Sequence, residues 1–158
     1  MNKKYLEFKN KYKNKTVIIM GLGLHGGGVG SAKFFSKLGA NVLVTDLKTK
    51  EELLPSINKL KKYKNIEYVL GKHREKDFKN ADLIIKNPGV KNNSKFLQIA
   101  LDNNINIDTD IGIFFELCEN KTIGITGTKG KSTTTKLITE FLQTKYSVVV
   151  GGNYRISV

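Results

Sequence analysis

Short, largely apolar runs separated by helical stretches restrict the fold of this chain more than any other feature. They are TVIIM (16–20), NVLVTD (41–46), IEYVL (66–70) and ADLIIK (81–86). Strands that are apolar without alternation must be covered on both faces, and helices between successive strands provide that cover in parallel sheets. The sequence therefore predicts an α/β fold, a Rossmann-like parallel sheet with helices on both faces.

Helices are predicted before, between and after these strands. Residues 3–13 place Tyr5, Phe8 and Tyr12 on one face, which is typical of an amphipathic helix. Further helices are predicted near 31–39, over 50–62, behind the N-cap Ser94, and over 110–118.

A second, shorter block follows the polar stretch CENK (118–121). Its predicted order is a strand at 121–126, a helix over about 131–143 and a strand at 146–150. With the stretch GTKGKS (127–132) between the strand and the helix, that order matches the first βαβ unit of a P-loop ATPase domain. The sequence therefore predicts a boundary between two α/β blocks near residue 118.

Composition excludes several other classes of protein. The net charge of +13 favours anionic partners, but the lysines are scattered with no aromatic-interleaved motif, so no nucleic-acid role is predicted. A single cysteine, Cys118, excludes an internal disulfide and a cysteine-cluster metal site. The sequence has neither an apolar run of about 18 residues nor a secretory signal, so no membrane segment is predicted and the cytoplasm is the expected compartment.

The stretch GLGLHG (21–26) is a full G-x-G-x-x-G between the first strand and its helix. Glycines allow the tight turn and the close approach to a diphosphate, which the helix N-terminus attracts. Asp46 ends the next strand 20 residues beyond Gly26, where it would accept hydrogen bonds from a ribose or a base. The motif does not say which nucleotide binds, and a tight turn without a ligand is the alternative.

The stretch GTKGKS (127–132) resembles a phosphate-binding loop, although Ile125 stands where the strict pattern requires glycine. Its glycines would let backbone N–H groups surround phosphate oxygens, Lys131 would contact the β and γ phosphates, and two hydroxyls would reach Mg²⁺. The alternative is an ordinary strand-to-helix turn. The predicted ATP phosphate contacts are Gly127, Thr128, Lys129, Gly130, Lys131, Ser132 and Thr133.

The two loops, about one hundred residues apart, resemble the N-terminal part of the Mur ligases. The matching stretches are GLGLHGGG, VTDLK, ADLIIKNPGV, DTDIGIFFEL, GITGTKGKSTTT and VVVGGN, and they favour the D-glutamate-adding branch. The resemblance implies that residues 1–118 bind the UDP end of UDP-N-acetylmuramoyl-L-alanine rather than NAD. It also implies that residues 119–158 begin a central ATP-binding domain. In this family ATP and Mg²⁺ activate the alanine carboxylate as an acyl phosphate, which the amine of D-glutamate attacks.

The resemblance assigns site residues by position. The glycine loop would face the diphosphate, and the residues at the end of the second strand would contact the uracil. The NPG stretch would border the same pocket. These implied substrate contacts are Gly23, Leu24, His25, Gly26, Asp46, Leu47, Lys48, Asn87, Pro88, Gly89 and Asn153. Lys131 is the implied catalytic residue, and Ser132 and Thr133 are the implied Mg²⁺ contacts.

The chain departs from the family pattern in several places. Lys129 stands where asparagine is usual, Asn87 where serine is common, and Tyr154 follows GGN where isoleucine is normal. The family's later metal ligands and D-glutamate-binding domain have no counterpart in these 158 residues. We therefore expect the front portion of a ligase, inactive alone, and a separate chain is one candidate source of the missing domains. An NAD-binding oxidoreductase module and a non-enzymatic nucleotide-binding remnant remain alternatives.

Overall fold

The computed structural model describes residues 3–152, and its centre is a five-stranded parallel sheet. The strands are β1 (Thr16–Met20), β2 (Asn41–Asp46), β3 (Ile66–Leu70), β4 (Leu83–Lys86) and β5 (Asn106–Asp108). Their order across the sheet is β3-β2-β1-β4-β5, and every neighbouring pair is parallel. The predicted α/β class with a parallel sheet is confirmed.

Helices cover both faces of this sheet. They are α1 (Lys3–Tyr12), α2 (Gly27–Leu38), α3 (Lys50–Asn58), α4 (Glu75–Lys79), α5 (Lys95–Asp102), α6 (Asp110–Leu117) and α7 (Lys131–Gln143). Val17 and Ile19 pack with residues of α1, α2, α3 and α6. The alternate residues Ile18 and Met20 pack with α4 and α5 on the opposite face. The central strand is therefore buried on both sides, as its unbroken apolar run requires.

Three helices differ from the sequence expectation, and the first of them, α2, begins at Gly27 rather than near residue 31. Helix α3 begins at a capping box in which Thr49 and Glu52 bond each other's backbone N–H, but it ends at Asn58 rather than near residue 62. Helix α4 was not predicted, because EKDFK offers only one apolar side chain and therefore no periodicity. That side chain, Phe78, is fully buried, so one tertiary contact secures a helix that local pattern does not reveal.

The two strands predicted at 121–126 and 146–150 do not form, and that prediction was wrong. Only α7 between them appears, with the bounds expected from the sequence. None of residues 119–152 is buried, and the exposed fraction of the Phe141 side chain on α7 reaches 77%. An extended segment needs a neighbouring strand to satisfy its backbone groups, and within residues 3–152 these two segments have none. Within the same residues, no helix combines the length and the apolarity of a membrane span.

Candidate functional site

The predicted glycine loop lies where the strand order of the sheet reverses. Strands β2 and β3 extend from one side of β1, and β4 and β5 extend from the other. Open α/β sheets bind ligands outside the carboxyl ends of their strands at this point. Met20 pairs with Lys86, so the loop after β1 and the loop after β4 lie side by side. A small cleft of about 10 Å³ lies beside them, between the start of α2 and the end of β4, and its lining includes Gly27, Gly28, Ile85, Lys86, Asn87 and Asp110.

Asp46 holds the glycine loop in place through its carboxylate. Its Oδ2 accepts hydrogen bonds from the backbone N–H groups of Leu22 (2.8 Å) and Gly23 (3.1 Å). Its Oδ1 accepts one from the N–H of Lys48 at 2.9 Å, and the residue is only 9% exposed. A carboxylate offers about four acceptor positions, and three are used here. Asp46 thus organises the loop, and its contact with a ligand stays a prediction.

Two further side chains bond the same loop from other elements. Asn87, directly after β4, donates through Nδ2 to the carbonyl of Gly21 at 3.0 Å. Ser56 on α3 donates through Oγ to the carbonyl of Gly23 at 2.7 Å. The structure therefore brings the predicted residues Gly23, Asp46 and Asn87 together. It adds Ser56, which sequence reasoning missed because a lone serine in a helix gives no signal of its role.

The close approach of α2 to the backbone of the glycine loop falls on Gly28, outside the G-x-G-x-x-G motif. A Cβ built on Gly28 would lie 2.5 Å from the carbonyl oxygens of both Gly21 and Leu22. Gly26 instead takes the left-handed N-cap position of α2, with φ of 102°. The run of three glycines, 26–28, indicated a close contact at this place in the sequence. The motif ends at Gly26, so it did not identify Gly28 as the residue in contact.

The remaining predicted substrate residues lie at the rim of the same edge. Leu24 is 43% exposed and Leu47 is 66% exposed, and His25 and Lys48 are exposed beside them. Pro88 and Gly89 are exposed in the loop after β4. These side chains could reach a bound molecule without rearrangement of the core. Their ligand contacts stay predictions, and Asn153 lies outside the described residues.

Asp110, at the start of α6, is a site residue that sequence reasoning missed. A Cβ built on Gly27 would lie 3.5 Å from Asp110 Oδ2, which places this carboxylate beside the first turn of α2. A negative group near a helix N-terminus interacts favourably with the free N–H groups there. Asp110 thus adds negative charge to the lining of the cleft, which also includes Lys86.

His73 lies beside the carboxyl end of β2, and it is half-buried. Its Nδ1 lies 2.7 Å from Thr45 Oγ1, and its ring meets the rings of Phe78 and Phe96 edge-on at 5.8 and 4.9 Å. Burial lowers the pKa of His73 below its usual 6.5, and the nearby Asp46 charge offsets part of that effect. Neutral His73 therefore links β2 to α4 and α5.

We expect the free energy of unfolding to fall as the pH drops from 7.5 through 6.5 toward 5.5, and His73→Gln to reduce this dependence. The folded chain holds His73 at a pKa below 6.5, so the unfolded chain binds more protons in this range and acid favours it. Urea unfolding of both proteins at pH 7.5 and at pH 5.5 measures the difference. Equal pH dependence in wild type and variant would contradict this assignment.

The second predicted loop has the local shape of a phosphate cradle. Gly127 and Gly130 have positive φ angles of 148° and 79°, and Gly130 starts α7 without a side-chain cap. Lys131 Nζ donates to the carbonyl of Gly127, so the ammonium lies over its own loop. Glycines and a cation at the start of a helix are the parts that a phosphate-binding loop uses, and the contacts of these residues with ATP stay a prediction. Thr128, Lys129 and Thr133 are exposed around them, and Ser132 and Thr133 lie in the first turn of α7.

Comparison with known proteins places these loops in one family. Residues 15–109 match the family model described as Mur ligase MurD-like, N-terminal domain. Over 150 residues the chain is 47% identical to a UDP-N-acetylmuramoylalanine--D-glutamate ligase of Borreliella burgdorferi, covering 94% of this chain and 32% of that protein. A ligase of the same name from Treponema pallidum is 41% identical, with 90% of this chain and 27% of that protein covered.

A solved structure supports the same assignment. A pseudomurein peptide ligase type C from Methanothermus fervidus matches 83% of this chain and 26% of its own, with 27% identity and a TM-score of 0.55. The chain spans about a third of the length of the curated relatives it matches. The family model covers more than half of the chain, including the glycine loop, Asp46 and the loop after β4. The chain therefore belongs to the Mur ligase family, with residues 15–109 as its MurD-like N-terminal domain.

Proposed function

We propose that this chain is the N-terminal portion of a cytoplasmic ligase of peptidoglycan-precursor synthesis, which adds D-glutamate to UDP-N-acetylmuramoyl-L-alanine. Residues 1–118 bind the UDP end of the substrate, and residues 119–158 begin the ATP-binding domain. The observation that carries the proposal is the glycine loop fixed at the reversal point of the sheet, beside the Asn87 loop. Relatives with this domain carry the ligase name.

The bonding of Asp46 favours a UDP-linked substrate over NAD. In dinucleotide-binding Rossmann domains the acidic residue at this position bonds the ribose hydroxyls of NAD. Here both carboxylate oxygens accept backbone N–H groups, and about one acceptor position is left. A carboxylate engaged in this way is poorly suited to clamp a ribose. The exposed residues Leu47 and Lys48 beside it are available to a base instead.

The second loop supports the phosphoryl-transfer half of the proposed reaction. ATP supplies the phosphoryl group that turns the alanine carboxylate into an acyl phosphate, with ADP released, and the amine of D-glutamate then displaces phosphate. Lys131 stabilises negative charge on the transferring group, since its ammonium lies at the loop that would hold the phosphates. Ser132 and Thr133 are the proposed Mg²⁺ contacts.

Calorimetric titration with UDP, UDP-N-acetylmuramoyl-L-alanine and NAD tests the proposed substrate class. We expect both uridine ligands to bind more tightly than NAD. Asp46→Ala should weaken UDP binding by about 1 to 3 kcal/mol, because the loop loses the acceptor for two of its N–H groups. Tight NAD binding without UDP binding would overturn the proposal in favour of a dinucleotide-binding module.

A further inference from the structure

The glycine loop is held by side chains from three separate segments. One of these side chains, Ser56, has no part in the proposed function described above. Asp46 bonds the N–H groups of Leu22 and Gly23, and Asn87 bonds the carbonyl of Gly21. Ser56 bonds the carbonyl of Gly23 from α3, 33 residues further along the chain. Gly23 is thus fixed at both its N–H and its carbonyl, in the left-handed region at φ of 59°.

The bond from Ser56 is specific in its direction. A buried serine in a helix commonly donates to the carbonyl four residues earlier in the same helix. Ser56 is 1% exposed, yet its hydroxyl leaves the helix and donates to the loop at 2.7 Å. A buried hydroxyl needs a partner, so this bond is costly to lose. The contact therefore fixes the loop rather than α3.

The orientation of one carbonyl determines the orientation of the next amide. In a trans peptide the carbonyl of Gly23 and the N–H of Leu24 point in opposite directions. Since Ser56 holds that carbonyl toward α3, the Leu24 N–H points away from α3. Within residues 3–152 this N–H has no hydrogen-bond partner, and Leu24 lies exposed at the rim of the proposed site.

We propose that Ser56 is a positioning residue that turns the Leu24 N–H outward to donate to a diphosphate oxygen of the ligand. This inference rests on the proposed function and identifies which part of the ligand the loop recognises. The hydroxyl does not touch the ligand. It prevents the Gly23–Leu24 peptide from flipping, which would replace the outward donor with a carbonyl that repels phosphate.

The test compares Ser56→Ala with Ser36→Ala as a matched control. Ser36 is a nearly buried serine whose Oγ donates to Asn65 Oδ1 at 2.6 Å, on a different part of the fold from the glycine loop. Both variants lose one buried hydroxyl bond, but only one of these bonds orients the loop. We expect Ser56→Ala to weaken UDP binding about 3- to 10-fold and Ser36→Ala to leave it within about twofold.

NMR titration of the ¹⁵N-labelled chain with UDP, uridine and pyrophosphate shows which atoms are involved. In wild type the Leu24 amide should shift strongly with UDP and pyrophosphate and little with uridine, and Ser56→Ala should abolish the large shift. Ser56→Cys, with a weaker donor, should give an intermediate affinity for UDP. Equal loss of uridine and UDP affinity in Ser56→Ala, or an unchanged Leu24 shift, overturns the inference.

The outcomes separate this inference from the proposed function. If the wild type and Ser56→Ala bind UDP equally well, the role of Ser56 is overturned and the proposed function is supported. Wild type that binds pyrophosphate through Leu24 but not UDP supports the positioning role and overturns the uridine substrate. Wild type that binds neither probe overturns both.

Discussion

Gly28→Ala should lower the free energy of unfolding by at least about 3 kcal/mol, which is the upper range for an overpacked core position. The added Cβ would lie 2.5 Å from two carbonyl oxygens and 2.7 Å from the Cα of Leu22. All three atoms belong to the backbone of the glycine loop, so no side chain can rotate away to relieve the clash. Helix α2 must then move off β1, and both are central to the larger core cluster.

Gly89→Ala is the matched control for this substitution. Gly89 is exposed in the loop after β4, and a Cβ there would meet no atom within 4 Å. An alanine at such a surface position should change the free energy of unfolding by less than about 0.5 kcal/mol. Urea unfolding of both variants measures the difference, and a Gly28→Ala midpoint equal to that of Gly89→Ala would refute the close approach of α2 to the glycine loop.

The first block shows what the sequence pattern is able to determine. Strands β1, β2 and β3 have the predicted bounds, because a strand at the centre of a parallel sheet needs an unbroken apolar run that stands out from its surroundings. The second block shows the limit of the same argument. TIGIT is as apolar as the real strands, but strand formation also requires a partner, and no described residue supplies one.

In the candidate site, too, sequence spacing predicts some features and only the folded structure reveals others. Spacing from the glycine loop identified Asp46, since the length of one helix and one strand fixes that separation. Two of its three backbone partners, Leu22 and Gly23, depend on how β2 lies beside β1, and sequence spacing does not contain that detail. Ser56 and His73 were missed for the same reason. Their roles arise from contacts with residues 33 and 28 positions away.

Backbone amides in 122–126 and 146–150 should exchange with solvent at least about a thousandfold faster than those in 16–20 and 41–45. The slowly exchanging amides, in 16–20 and 41–45, belong to β1 and β2. Their N–H groups bond neighbouring strands inside the core, and these hydrogen bonds break only when much of the domain unfolds. The fast pair forms no strand and has no buried residue. Native-state hydrogen exchange of the whole chain, read by mass spectrometry or NMR, measures both sets together.

Helix α7 is the internal comparison for this measurement, because it has hydrogen bonds but no burial. Its 13 residues bury no side chain, and an isolated helix of that length is marginally stable in water. Its amides should therefore exchange only modestly more slowly than those of the flanking segments and far faster than those of β1. Protection of 122–126 equal to that of β1 would contradict the prediction, since it would require these residues to pair with the sheet or with another copy of the chain. The same measurement can be repeated with ATP added. ATP bound at Lys131 should slow amide exchange in the first turn of α7 and leave exchange in 146–150 unchanged.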